Sequence, residues 1–333
     1  MQISQLRRLV RDESIAFAWG QWAQIGVFAD TDRRDDWAVD PEALLLFTLE
    51  IARHDPRLFD EVLDWLRENE RAISVQRLKN LSRDDADRAL VAAALGWVSR
   101  YRKNPRFTRA APIARTDSLE PLFPLLSPRV PNPDPAFLES GLAKPDSVPS
   151  GKSTRPRLDA PINFAFRMRE LFGVSSRAEV VRYLLTVRAP NVPAQLVAEA
   201  TAYAKRNVFQ SLSALTAAGV VQTITVANER RYSMSTGIWQ DVLALDELPR
   251  HRDWPQLLWA VRRVARVLEQ SGLSEASEYM LASAARDLMQ EVEESLRFAG
   301  VPVVGGHRPG AEYWSAFAET VQLSLNVLRT GHP

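Results

Sequence analysis

The sequence predicts a mainly α-helical protein: an N-terminal helical domain, a central unit of short helices closed by a small β-hairpin, and a C-terminal helical region. Three observations lead there. Apolar residues recur at helical spacing through most of the first hundred residues and again from Pro255 to Leu328. Proline and glycine cut these runs into separate helices, and Asp40-Pro41 and Asp55-Pro56 each place a capping acid before a first-turn proline. One stretch, Val220 to Met234, reads instead as two strands around a turn.

The 333 residues suffice for two or three domains, and a composition of 46% hydrophobic and 25% charged residues is that of a soluble globular chain. The absence of cysteine excludes disulfides, thiolate catalysis and thiolate zinc sites. His54, His251, His307 and His332 lie far apart without ligand spacing, so neither a metal nor another cofactor is expected. The N-terminal basic residues precede no apolar core of a secretory signal, and no run approaches the roughly 18 apolar residues of a membrane span. A cytoplasmic protein without a membrane partner is the expectation.

Residues 1–103 form the expected N-terminal domain. Its helices begin at Pro41 (Leu44, Leu45, Phe47, Leu49, Ile51) and Pro56 (Leu58, Phe59, Val62, Leu63, Leu66). Ser74 and Ser82 read as further caps, the latter with Asp85 in a capping-box-like spacing before a helix over 83–100. Trp19, Trp22, Trp37, Trp65 and Trp97 would pack this bundle. Residues 104–161 hold twelve of the 21 prolines and read as a strap, whose Leu119, Leu122, Phe123, Leu125 and Leu126 suggest that it packs on a neighbour. The central unit takes 162–236. Residues 237–333 carry three helices, over about 255–270, 274–299 and 311–328, and the glycine-rich 300–310 separates the last two.

Within the central unit, a helix over 177–188 turns Val180, Val181, Leu184 and Leu185 inward. Pro193 opens a second helix, and a third ends at Gly219, whose freedom at positive φ suits a helix terminus. A hairpin follows, turning at Ala227, Asn228 and Glu229. This order is that of a winged helix-turn-helix, in which the third helix enters the major groove of DNA. Val208, Leu212 and Leu215 face inward, which leaves Lys205, Arg206, Asn207, Gln210 and Ser211 on or near the outward face and the helix N-terminus. Asn228, Arg230 and Arg231 lie in the wing. Net charge by segment is −2, +2, +5 and −4, so the positive excess falls on the central unit, as a contact to nucleic acid requires.

On these residues, 176–236 resembles the winged-helix domains of bacterial transcriptional regulators of the ArsR and MarR type, over about a fifth of the chain. Where that superfamily usually has a turn glycine and a serine or threonine cap, this chain has Ala202 and Ala204. The resemblance implies double-stranded DNA as partner, a DNA-binding transcriptional regulator as function, and no catalysis. A homodimer is expected through the C-terminal helices, because helix-turn-helix proteins commonly read two half-sites. The helix over 274–299 carries a wide apolar stripe of Ala276, Met280, Leu281, Ala284, Ala285, Leu288, Met289, Val292 and Leu296. The alternative is an antitoxin-like or scaffold subunit that clamps a protein partner, with an autoregulatory or purely structural winged helix.

Other motifs carry less. Gly151-Lys152-Ser153-Thr154 matches the end of a phosphate loop, but Asp146 stands where the first glycine belongs and Arg155-Pro156 where a helix must start. Asp30, Asp32, Asp35 and Asp36 fail the calcium-loop pattern because Arg33 and Arg34 interrupt it. The segment Ile73 to Leu81 resembles a second short recognition helix displaying Gln76, Arg77, Lys79 and Asn80, although no wing follows and its domain is net negative.

Overall fold

The chain opens with α1 (Ile3–Gln24), then α2 (Pro41–Ile51) and α3 (Pro56–Glu68). Asp40 and Asp55 cap the last two as expected, accepting from Ala43 N and Leu58 N, with proline in the first turn. Ser74 caps the short α4 (Val75–Leu81), accepting from Arg77 N. Ser82 does not cap the next helix. Asp84 does, accepting from Asp87 N at the start of α5 (Asp85–Tyr101), while Ser82 Oγ donates to Leu78 O; a carboxylate beside the first turn is the better acceptor. In this computed structural model the described residues are 1–31, 33, 35–110, 119–125, 130–305, 309–310 and 312–331. Leu126 and Asp32 lie outside them.

The proline-rich strap contains α6 (Pro105–Ala110), β1 (Glu120–Pro121), α7 (Pro135–Leu138) and β2 (Leu142–Ala143), which pairs in parallel with β1. It packs as its apolar residues suggest: Leu122 and Phe123 are buried, while Leu119 and Leu125 stay exposed. Gly26 and Thr154 pair through Thr154 N and Gly26 O at 2.8 Å, and a Cβ on Gly26 would meet Thr154 O at 2.4 Å, so only glycine lets the strap lie this close.

The central unit comprises α8 (Phe164–Phe172), α9 (Ser176–Thr186), β3 (Val192–Pro193), α10 (Ala194–Thr201), α11 (Lys205–Ala217), β4 (Gln222–Val226), β5 (Glu229–Ser233) and α12 (Thr236–Leu243). Its antiparallel sheet has the order β3-β5-β4. The sequence pattern predicts β4 and β5 but neither β3, a two-residue strand ending in proline, nor α8 and α12. Val180, Val181, Leu184 and Leu185 of α9 and Val208, Leu212 and Leu215 of α11 form a core with Tyr232 and Leu243. Gly219 takes φ 72° beyond α11.

α13 (Trp254–Leu268), α14 (Glu278–Phe298) and α15 (Glu312–Thr330) complete fifteen helices among the described residues. They form no core of their own. α13 packs on α2, α15 packs on α1, and one apolar cluster takes in residues from Leu6 to Phe166 and from Trp254 to Leu328. The stripe on α14 is therefore largely spent inside the chain: Leu281, Ala285, Leu288, Met289, Val292 and Leu296 are buried, while Met280 is exposed. Helical spacing tells which face is apolar but not what covers it.

Two cores thus lie side by side, joined by buried charge. Asp40, Glu42 and Arg77 from the larger body meet Arg169, Glu179 and Arg182 from the central unit, all at most 4% exposed. Arg169 donates to Glu42 Oε1 (2.8 Å) and Glu179 Oε1 (2.9 Å), Arg182 Nε to Glu179 Oε2 (2.8 Å), and Arg77 to Asp40, Glu42 and the Thr201 carbonyl. Three carboxylates and three guanidiniums balance, as burial of charge requires.

Candidate nucleic-acid interface

α11 is positioned by one apolar stripe. Val208, Leu212 and Leu215 recur at i, i+4 and i+7 and face α9, leaving the other side in solvent. Lys205, Arg206, Asn207 and Gln210 are exposed there, as predicted. Ser211 is not. It lies three residues after Val208, on the buried stripe; it is 7% exposed, and its hydroxyl bonds Ser176 Oγ at 2.8 Å. Phe209, which the sequence reading omits, is 49% exposed on the outward face, where its phase one residue after Val208 could have placed it.

The start of α11 is electrostatically unusual. Its N-cap is Ala204, which offers no side-chain acceptor, and its first turn holds no acid. Lys205 and Arg206 stand there instead, without a carboxylate partner among the described residues. Cations at the positive end of a helix dipole are disfavoured by about 0.3–1 kcal/mol each, and the uncapped amides add to the demand for an anion.

The hairpin projects into water. All five residues of β4 are exposed, and Tyr232, 3% exposed, roots β5 in the core while pairing with Val192 of β3. The turn is two residues, Ala227 (φ 46°) and Asn228 (φ 69°), and Glu229 belongs to β5. Positive φ at both positions matches the twist of the strands. Arg230 and Arg231, adjacent on β5, point to opposite faces of the hairpin. Arg231 Nε lies 3.4 Å from Glu229 Oε2, whereas Arg230 has no carboxylate partner among the described residues.

The bend between α10 and α11 is held from outside. Ala202 takes a left-handed conformation (φ 54°, ψ 38°) without being glycine. Arg77 Nε donates to Thr201 O and Asn80 Nδ2 to Ala202 O, both at 2.8 Å, and Ser74 Oγ and the Tyr203 hydroxyl are 3.0 Å apart. This corrects the view of α4 as a second recognition helix. Arg77 is fully buried against Asp40 and Glu42, and Asn80 spends its amide on the bend; Gln76 and Lys79 remain exposed.

Elsewhere the motifs resolve as structure. Asp35 accepts from Gln21, Gln24 and Arg33, so it serves as the centre of a hydrogen-bond network, and no group of three or more His, Asp or Glu among the described residues is placed for a metal ion. Lys152 lies over the Phe28 ring and Ser153 N donates to Asp64, so the GKST stretch is strapped to α3. Trp254 Nε1 donates to Ala38 O and Trp314 Nε1 to Met1 O, both packing roles. A cleft of about 850 Å³ opens at the starts of α1, α14 and α15, among Gln2, Gln5, Glu278 and Glu312. No described helix is long and apolar enough to cross a membrane. No protein-family model matches the chain, and neither does any curated protein or solved structure.

Proposed function

We propose that the central unit is a winged helix-turn-helix and that the protein binds double-stranded DNA as a transcriptional regulator, α11 being the recognition helix and β4–β5 the wing. One observation carries this reading: the uncapped start of α11, where Lys205 and Arg206 stand unpaired at the positive end of the helix dipole. That arrangement costs the free protein energy that a phosphate returns. The exposed face continues through Asn207, Phe209 and Gln210, side chains able to bond adenine or pack on a thymine methyl. Arg230 at the wing supplies a further phosphate or minor-groove contact. No bond is made or broken; affinity comes from Lys and Arg on phosphate and sequence preference from α11.

As a regulator it would bind two half-sites as a homodimer. With the C-terminal faces spent internally, the apolar face of α12, where Ile238 is 61% and Val242 is 66% exposed, is the surface we assign to the second copy. Light scattering on the intact chain tests this, and a monomer at all concentrations with and without duplex refutes it.

The decisive experiment is titration of promoter-derived and scrambled duplexes at several salt concentrations. Lys205→Ala with Arg206→Ala should lower the slope of log affinity against log salt by about 0.9 per lost phosphate contact and weaken all sequences alike. In the same assay, Gln210→Ala should cost about 1–3 kcal/mol on the preferred site only. If the double variant keeps wild-type affinity and slope, α11 is not the contact.

A further inference from the structure

Among the stretches of the chain without any Asp or Glu, three carry exposed cations and neighbour the α10–α11 bend: 71–81, 103–110 and 200–228. They are distant in sequence and joined in space. The first holds α4, which grips the α10–α11 bend through Ser74, Arg77 and Asn80. The second is α6 with its lead-in, which packs on α4; Phe107 is fully buried, and Asn104 Nδ2 donates to Glu70 Oε2 at 3.1 Å just ahead of the first stretch. The third contains α11 and the start of the wing.

Exposed cations populate the first two. Arg71, Lys79, Lys103, Arg106 and Arg109 are all exposed, and none has an ion-pair partner among the described residues. Arg106 and Arg109 are three apart on α6, so they share a face. The acids that flank the first of these stretches are already occupied. Arg102 is paired with Glu68, Arg88 with Asp85 and Arg266 with Asp84, while Glu70 is buried on Asn104. A band with five exposed cations unpaired among the described residues and no carboxylate of its own is complementary to an external polyanion.

We propose that this band is a second phosphate-contacting surface, and that duplex DNA bound at α11 continues across α4 onto α6. The inference rests on the duplex reading of α11. It gives the N-terminal body a function: besides bracing the bend, it lengthens the site on the side of α11 facing α4. Contacts there are to backbone only, because lysine and arginine on a convex helical surface outside a groove reach phosphates and not base edges. They therefore add affinity and salt dependence without adding sequence preference.

The test uses the full chain and two duplexes sharing one preferred site, one trimmed to the segment protected by α11 and one extended on both sides. Lys79→Ala, Arg106→Ala and Arg109→Ala together should lower the salt slope on the extended duplex by about 2 to 3, at about 0.9 per contact, and leave the trimmed duplex unaffected. Wild-type protein should bind the extended duplex more tightly than the trimmed one, and the triple variant should bind both equally. Far-ultraviolet circular dichroism identical to wild type excludes a folding defect, since all three side chains are exposed. An unchanged slope in the triple variant, with Lys205→Ala/Arg206→Ala still lowering it, overturns the second surface and spares the first. Failure of wild-type protein to bind either duplex overturns both.

Discussion

Glu179 shows how tightly the two cores are tied. Burial alone would raise its pKa, but the Arg169, Arg77 and Arg182 guanidiniums outweigh that and hold it far below the usual carboxylate range. Asp40 follows the same pattern, burial opposing and Arg77 prevailing, so its pKa is also lowered. A carboxylate whose folded pKa lies below its unfolded value, about 4, stabilises the fold fully above that value, and the contribution fades as pH falls toward the folded pKa. Glu179→Gln removes one such contribution and leaves Arg169 and Arg182 short of a partner in a dry site. We expect a loss of about 3–5 kcal/mol near pH 7, measured by urea denaturation, and a flatter loss of stability than wild type between pH 5 and pH 3. A variant within 1 kcal/mol of wild type at pH 7 would show that the cluster is dispensable. The same cluster explains the error over Arg77: its charge suggested display to a ligand, whereas its partners Asp40 and Glu42 lie 37 and 35 residues away. Local spacing does not reveal a partner that distant.

At the level of elements, the α10–α11 bend combines a strained residue with a brace. Alanine in the left-handed region is disfavoured by about 1–2 kcal/mol, yet Ala202 adopts it while its carbonyl and that of Thr201 accept from Asn80 and Arg77. Ala202→Gly should therefore be neutral or stabilising by up to about 1 kcal/mol, the relief of strain set against glycine's greater unfolded freedom. Ala202→Val should destabilise, since a β-branched residue tolerates positive φ poorly. Thermal denaturation decides; a clear loss with glycine would mean that the alanine methyl is itself packed. The helices of the N-terminal body, α9 to α11 and the last three were legible in advance, whereas α6, α7, α8 and α12 were not. Asp40, Asp55 and Ser74 cap where their chemistry says they should, and the inward residues of α9 and α11 follow from spacing. The exposed candidates Lys205, Arg206, Asn207 and Gln210 follow from the same phase, and Ser211 was misplaced although that phase already assigned it inward. β3 was illegible because two residues ending in proline carry no periodic signal. The acid-free band was hidden for another reason: averaging over 1–103 gives a net −2, which conceals a basic surface beside acidic helices.

For the whole molecule, α2 decides how the chain divides. All eleven of its residues are buried, Glu42 and Glu50 in ion pairs, so the helix is surrounded on every side. Its covers come from both ends of the chain: α1, α3, α4 and α5 from the N-terminal body, and α13 from beyond the central unit. Trp254 on α13 packs its ring, tilted, with centroids 5.4 Å from Phe17 and 5.6 Å from Trp37, while Arg262 meets Asp87 through two 2.7 Å bonds and Arg266 pairs with Glu50. The central unit is thus inserted into a single helical body and is not one link in a row of three domains. A chain ending at Trp239 should not fold as a shortened regulator. It would strip one side of α2 and leave Asp87, 1% exposed in the intact chain, without Arg262. We expect such a truncation to lose its near-ultraviolet circular dichroism, bind a hydrophobic dye and aggregate, while retaining much of its helix signal. A monomeric truncation with a sharp unfolding transition at the wild-type temperature would show instead that α13–α15 are an appended domain, and that the larger core does not depend on them.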